Sequence, residues 1–214
     1  LVEENNELLL NLISDILDIS KIEAGTVELI ITRVDVARLC REVISTCSHK
    51  KHDEAVVLRF DESSPQIMVD ADKNRIMQVL SNFITNALKF TAKGSVTLSY
   101  RLEDDSQLRF CVTDTGKGIP AEQQHEIFSR FVKLDSFSQG AGLGLSICQS
   151  LVERMGGQIG VNSREGEGSC FWFTHPYTLD ASLDPDAVTK SGDQVIKIVS
   201  RNYKPLILVA EDID

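Results

Sequence analysis

Positive charge is scarce in this sequence: 22 Lys and Arg stand against 32 Asp and Glu, for a formal charge of −10. Nucleic-acid binders hold phosphate backbones on basic surfaces, so direct binding to DNA or RNA is not expected. Long apolar runs are missing as well. The longest, such as Leu8–Leu10 and Leu206–Ala210, fall far below the roughly 20 residues a membrane helix needs, and no leader pattern opens at Leu1. Cysteine is sparse: Cys40, Cys47, Cys111, Cys148 and Cys170 are an odd number, scattered, with no CxxC pair. That pattern argues against zinc and against a disulfide framework, and suits small buried hydrophobes in a reducing compartment. What remains is a globular chain of 214 residues, 42% hydrophobic and 25% charged, long enough for one good core and one or two attached pieces.

The stretch Asp72 to Thr91, DKNRIMQVLSNFITNALKFT, reads as one long helix capped by Asp72. Ile76, Met77, Leu80, Phe83, Ile84, Ala87 and Leu88 recur at spacings of three and four, the apolar stripe of a helix lying on a core. Gln78, Asn82, Asn86 and Lys89 form a polar strip with the same spacing. A wet helix surface would explain the strip, although Asn is a poor helix former and two of them need a reason. A hard cation such as Mg2+ on the amide oxygens, with Lys89 beside a phosphate, would supply one.

Upstream, Leu1 to Ala24 is strongly helical, with a broad apolar face from Leu8 to Ile22 and Gly25 as its stop. The face is too wide for a lone surface helix: it could pack on the rest of the chain, and it suits equally one helix of an antiparallel hairpin in a dimeric bundle. Strands are expected at Val27 to Val34, Ala55 to Phe60 and Pro65 to Asp70, with a helix capped by Asp35 running to about Cys47. His49 and His52 lie in a charged loop and are too few ligands for a metal.

Downstream, a hairpin of Val96 to Leu102 and Leu108 to Thr113 ends directly in DTGKGIP, Asp114 to Pro120. A carboxylate at the end of a buried strand, followed by Gly116 and Gly118, lets a flat ligand approach the backbone and donate an exocyclic amine to Asp114. An ordinary glycine turn reads the same way. Ala121 to Phe131 is expected to be a short helix ending in IFSRF, where Arg130 is a cation among aromatics and most simply a surface arginine. Gly140, Gly142 and Gly144 then lead into an apolar helix ending near Gly156, so that free amides and a positive helix end face one place. The pattern is neither GxxxxGK[ST] nor a strand-borne GxGxxG. Strands at Gln158 to Ser163 and Ser169 to Thr174 close the domain.

The Asn/Asn/Lys helix, the DxGxG turn and the GxGxG helix start occur in that order, and together they identify a family. Asp72 to Thr174 resembles the ATP-binding catalytic domain of two-component sensor histidine kinases, in the superfamily that includes DNA gyrase and MutL. RIMQVLSNFITNALKFT is similar to its N box, DTGKGI to its first glycine box, IFSRF to its F box, GAGLGLSI to its second glycine box, and MGGQIGVNSREGEGSCFWF to its closing strands. LLLNLISDILDISKIEAG resembles the second helix of the dimerisation and histidine-phosphotransfer hairpin, and PLILVAEDID the opening strand of a receiver with Glu211 and Asp212 as its acidic pair.

The expected organisation is therefore 1–25 hairpin helix, 26–175 catalytic domain, 176–204 linker and 205–214 start of a receiver. The expected fold is α/β: a two-layer sandwich of about three helices on a five-stranded mixed sheet, preceded by a long N-terminal helix. The resemblance implies ATP and Mg2+ as ligands, with Asn86 on the metal, Asn82 and Lys89 near the phosphates and Phe90 against the nucleotide. It gives Asp114 to the adenine amine and Gly116, Gly118 and Ile119 to the adenine pocket. Gly140, Gly142, Leu143, Gly144 and Leu145 fall to the triphosphate side, Arg130 to the γ-phosphate, Lys133 to its vicinity and Ser169 to the adenine end. Asn86, Lys89 and Arg130 would be the catalytic group.

The implied partners are a second copy through the hairpin and a receiver domain, in a cytoplasmic setting where any inner-membrane anchor belongs to other segments. The family's phosphoacceptor motif, similar to S-H-E-x-R-x-P, is not found. His125-Glu126 is the nearest look-alike, but it lacks the following Arg and Pro. The sequence is thus expected to bind ATP without phosphorylating itself, and its segment between the F box and the second glycine box is short for an ATP lid. Two other readings stand beside the kinase: a silent nucleotide-binding module, and a hydrolase or clamp of the gyrase and MutL type. The second needs a water-activating glutamate early in the N-box helix, and Arg75 to Ile84 contains none.

Overall fold

In the computed structural model, the described residues are 13, 16–21, 24–48, 55–104, 106–132, 142–177 and 196–198. Expectations on 1–12, His49, His52, Lys133, Gly140 and 205–214 lie outside them. In chain order the elements are β1 (Leu29–Asp35), α1 (Val36–Ser48), β2 (Val56–Phe60), β3 (Met68–Ala71), α2 (Lys73–Phe90), β4 (Gly94–Asp104) and β5 (Gln107–Asp114). A single 3-10 turn (Ala121–Gln123) follows, then α3 (Gly144–Arg154), β6 (Ile159–Arg164), β7 (Gly168–Pro176) and β8 (Ile196–Ile198).

The main sheet has five strands in the order β2-β4-β5-β7-β6, with β2 parallel to β4 and the other pairs antiparallel. This is the mixed α/β architecture the sequence predicts. A smaller sheet, β3-β1-β8, lies beside it, and its β8 falls in the stretch expected to be a linker.

Period two decides what faces the helices. On β5, Leu108, Phe110 and Val112 are buried, and Asp114 follows in the same alternation at the strand's last position. On β7, Ser169, Phe171, Phe173 and His175 take the inner side. Phe83 of α2, fully buried, lies tilted on Phe171 at 5.5 Å between ring centroids and edge-on to Phe173 at 6.2 Å, while Phe110 stacks on Phe173 at 4.8 Å. Burying one such ring is worth about 1.5–3 kcal/mol. The cluster fixes the axial position of α2 over the sheet, and with it the height of Asn82 and Asn86.

Asp72 caps α2 by accepting from the amides of Asn74 (3.0 Å) and Arg75 (3.1 Å) on Oδ1, while Oδ2 accepts from the Ile30 amide of β1 (2.9 Å). One carboxylate thus starts the helix and pins the small sheet to it. Residues 16–21 are helical, and the turn at Gly25 (φ +69°) closes them through Ala24 N–H to Ser20 O and Thr26 N–H to Lys21 O, both 3.0 Å.

Gln78 belongs to this junction. Its amide nitrogen donates to Asp18 (2.7 Å), and its oxygen accepts from Arg75 (2.9 Å). The polar strip of α2 is therefore divided: Gln78 holds the preceding helical residues, while Asn82, Asn86 and Lys89 lie farther along the helix.

One expected element is corrected. Ala121 to Phe131 is not a helix beyond the 3-10 turn Ala121–Gln123. Its backbone bonds run between residues three apart: Gln123 to Pro120, Gln124 to Ala121, Glu126 to Gln123, Ser129 to Glu126. The Gln124 side chain donates to both Ile119 O and Ser163 O at 2.9 Å, fixing the segment to β6, and Ile127 is its one fully buried apolar anchor. An α-helix needs a longer apolar stripe than that.

Candidate nucleotide site

Asp114 is 5% exposed, and the two backbone amides that reach it both fall on Oδ1, Gly116 N–H at 2.8 Å and Ser169 N–H at 3.3 Å. Oδ2 accepts no hydrogen bond among the described residues. Burial pushes the carboxyl above its usual range, and the Gly116 and Ser169 amides oppose that shift. A half-satisfied buried carboxylate is costly unless a donor meets it.

Gly116 lies where a Cβ would collide with the Phe90 carbonyl, 2.9 Å from both Asp114 Oδ1 and the Thr91 hydroxyl. Thr91 Oγ1 is buried and unpartnered among the described residues, a polar group beside Asp114 that the sequence reading missed. Gly118 (φ +68°) is pressed against the Arg164 carbonyl, where any side chain would overlap.

The glycine loop is held on the β6–β7 hairpin by Ser163, which the sequence reading did not single out, and by Ser169, which it placed at the adenine end. Ile119 N–H donates to Ser163 Oγ (2.8 Å), Ser163 donates to Gly168 O (2.8 Å), and its oxygen lies 2.9 Å from Ser169 Oγ. The Ser163 proton is committed to the carbonyl, so Ser169 is the donor of that last bond. Ser169 therefore braces Asp114 through its amide and the loop through its hydroxyl. Ile119 is buried beneath them.

The second half of the site is built by α2 and α3. Asn86 Nδ2 donates to Asn82 Oδ1 at 3.1 Å, which leaves the Asn86 amide oxygen with no bond among the described residues. A Cβ on Gly144 would overlap the Asn82 amide, so the first residue of α3 is seated directly on the N-box strip. Leu143 caps α3 without a side-chain hydrogen bond, leaving the first-turn amides and the positive dipole end beside Asn82. Leu143 is buried and Leu145 half-buried.

Lys89 and Lys117 both lie over the Phe90 ring, their ammonium groups 5.2 and 4.9 Å from its centroid. Phe131 (φ +63°, 71% exposed) donates its amide to Gly142 O at 2.9 Å, which seats Gly142 against the end of IFSRF, with Arg130 exposed next to it.

The structure thus brings together Asn82, Gly144 and, through Asn82, Asn86 in one group, with Leu143 at the start of α3, and Asp114, Gly116, Gly118, Ile119 and Ser169 in another, with Phe90 against the second. Among the described residues no group of three His, Cys, Asp or Glu could hold a metal ion, and no helix is long and apolar enough to cross a membrane.

Residues 71–179 match the family model described as histidine kinase-, DNA gyrase B-, and HSP90-like ATPase. Hybrid signal transduction histidine kinase B of Dictyostelium discoideum is 38% identical over 82% of the chain, which spans 9% of that relative. The sensor protein GacS of Pseudomonas syringae pv. syringae is 37% identical over 81% of the chain, which spans 20% of it. Among solved structures, full-length ShkA in complex with AMPPNP superposes with a TM-score of 0.76 at 38% identity, over 84% of this chain and 38% of that one. The catalytic domain of the histidine kinase ThkA gives 0.61 at 33% identity, over 69% of this chain and 96% of that one.

Proposed function

This chain belongs to the histidine kinase-, DNA gyrase B- and HSP90-like ATPase family, and from that premise we propose that it is the ATP-binding catalytic part of a two-component hybrid histidine kinase. The parent passes the γ-phosphoryl group of ATP to a histidine and onward to a receiver aspartate. The observation that carries the reading is Asp114: a buried carboxylate with both backbone bonds on one oxygen and the other open at a glycine-lined sheet end. That oxygen accepts the adenine amine, Gly116 and Gly118 admit the ring, and Ile119 forms its floor. Phe90 lies against the nucleotide, and Ser169 holds Asp114 in place.

The phosphates lie along the first-turn amides of α3, at Gly142, Leu143, Gly144 and Leu145, beside Asn82. Lys89 and Arg130 supply positive charge, so that catalysis is chiefly positioning and electrostatics. The donor chemistry at Asn86 fits Mg2+, since Asn82 takes up its amide nitrogen and leaves a hard oxygen outward, with the nucleotide's own oxygens completing the ligands. When bound there, Mg2+ draws charge off the phosphate oxygens.

In this reading residues 1–25 are the second helix of the dimerisation hairpin, 176–204 a linker and 205–214 the start of a receiver. The parent acts as a dimer. No observation favours a silent module or a hydrolase. Calorimetric titration with a non-hydrolysable ATP analogue, with and without Mg2+, tests the site. We expect Mg2+-dependent binding that loses its metal dependence in Asn86→Ala. Equal Mg2+ dependence in both proteins would refute the metal assignment, and no binding to the unaltered chain would refute the site.

A further inference from the structure

The glycine loop after β5 carries a cation to which the nucleotide reading gives no role. Gly116 and Gly118 are each pressed against a carbonyl, that of Phe90 and that of Arg164, with no room for a Cβ. Lys117 is the one side chain between them, and its backbone is tied on both sides. Its amide donates to Phe90 O at 3.3 Å, and its carbonyl accepts from Gly166 N–H at 2.7 Å. Two long-range bonds on one residue fix where its side chain starts.

The far end is placed as well. The Lys117 ammonium lies 4.9 Å from the centroid of the Phe90 ring, and the Lys89 ammonium lies 5.2 Å from the same centroid. Phe90 is the last residue of α2, so both cations stand at the negative end of that helix. Phe90 also follows Asn86 by one turn of α2 and touches the glycine loop through its carbonyl, which joins the Asn82 and Asn86 group to the Asp114 group. Its ring collects one ammonium from each. Contact with a ring face is favourable even at an exposed site, so Lys117 is held there before a ligand arrives and loses less freedom on binding one.

Acidic groups border the loop. Glu165 and Glu167 flank Gly166, whose amide holds the Lys117 carbonyl, and Glu167 pairs with Arg164 at 3.1 Å. Asp114 is buried, with Oδ1 on the Gly116 and Ser169 amides. The chain as a whole carries −10 and repels a polyanion, so a nucleotide depends on cations at the site itself.

Resting on the reading of this pocket as an ATP site, we propose that Lys117 is a further nucleotide-binding residue, the cation that meets the phosphate attached to the ribose. With the base on Asp114 and the outer phosphates beside Asn82 and Asn86, the first phosphate falls nearest the glycine loop, on the Lys117 side of Phe90. Lys89, from the same strip as Asn86, falls to the outer phosphates. Lys117 takes part in no bond making or breaking: its ammonium donates to a phosphate oxygen and offsets its charge.

The test is titration of the unaltered chain, Lys117→Met and Lys117→Arg with a non-hydrolysable ATP analogue, ADP, AMP and adenosine, the weaker ligands being read by displacement of the analogue. Methionine keeps an apolar stem on the ring and removes the charge. We expect Lys117→Met to weaken the analogue, ADP and AMP alike by about three- to tenfold, and to leave adenosine unchanged. Lys117→Arg should stay within about twofold of the parent, and the loss in Lys117→Met should shrink as salt is raised, because a charge at the surface is screened. A residue that only shapes the loop would cost adenosine as much as AMP, and that outcome would overturn the proposal. So would undiminished affinity for AMP in Lys117→Met while the unaltered chain binds all four ligands, a result that leaves the ATP reading standing. An unaltered chain that binds none of them would overturn both.

Discussion

Replacing Asp114 by Asn should separate binding from stability. The change keeps one acceptor oxygen for the Gly116 amide at 2.8 Å and the Ser169 amide at 3.3 Å, and turns the open Oδ2 into an NH2 group. A ligand amine would then meet a donor where it had an acceptor. Losing a hydrogen bond to a charged group costs about 1.5–3 kcal/mol, which at 1.4 kcal/mol per decade is about 10- to 150-fold in affinity for an ATP analogue.

Folding should respond in the opposite sense. Burial raises the Asp114 carboxyl against the pull of the two amides. A carboxyl raised in the folded state binds its proton more readily there than in the unfolded chain, so ionisation opposes folding. That cost is absent below the unfolded value of about 3.9 and grows as the pH rises through the folded value. The Asn variant should therefore be as stable as the parent at low pH and equally or more stable near neutrality. Calorimetry gives the affinity and urea unfolding at several pH values gives the stability. An affinity within about twofold of the parent, or a variant less stable at neutral pH, would refute the reasoning.

Three further outcomes follow from the geometry. Gly144→Ala should displace the Asn82 amide, which a Cβ would overlap, and weaken nucleotide binding by about tenfold while costing about 1 kcal/mol of stability, read by titration and urea unfolding. Gly118→Ala places a Cβ on the Arg164 carbonyl at a φ of +68°, and should destabilise by about 2–3 kcal/mol in the same unfolding assay. His175 is buried and its imidazole is held below the usual range by burial, partly offset by its bond to Pro176 O at 2.7 Å. The unfolded chain takes up that proton first. Stability should therefore fall as pH drops below about 6.5, and the fall should be shallower in His175→Gln, as followed by the urea midpoint.

Much was legible without coordinates because it is periodic or local. The stripe from Ile76 to Leu88 required a helix on a core, Asp72 required a cap, and alternation along Leu108 to Thr113 required a half-buried strand. Those are short-range constraints, written in residue spacing. The expected helix over Ala121 to Phe131 failed for the complementary reason. Its local propensity is helical, but Gln124, just after the 3-10 turn, reaches Ile119 and Ser163, and a segment pinned to a strand there follows the sheet.

The site divides the same way. Sequence alone determined that two amides, a carboxylate after a strand and two glycine clusters exist, in an order that names a family. It could not say that Gln78 is taken by Asp18, that Gly144 is seated on Asn82, that Ser163 ties Ile119 to Ser169, or that Thr91 is buried beside Asp114. Each of these joins residues far apart in the chain. Which side of a polar strip meets a partner is set by the packing of Phe83 on Phe171 and Phe173 and by the register of β5 on β7, and no spacing within one segment carries that information.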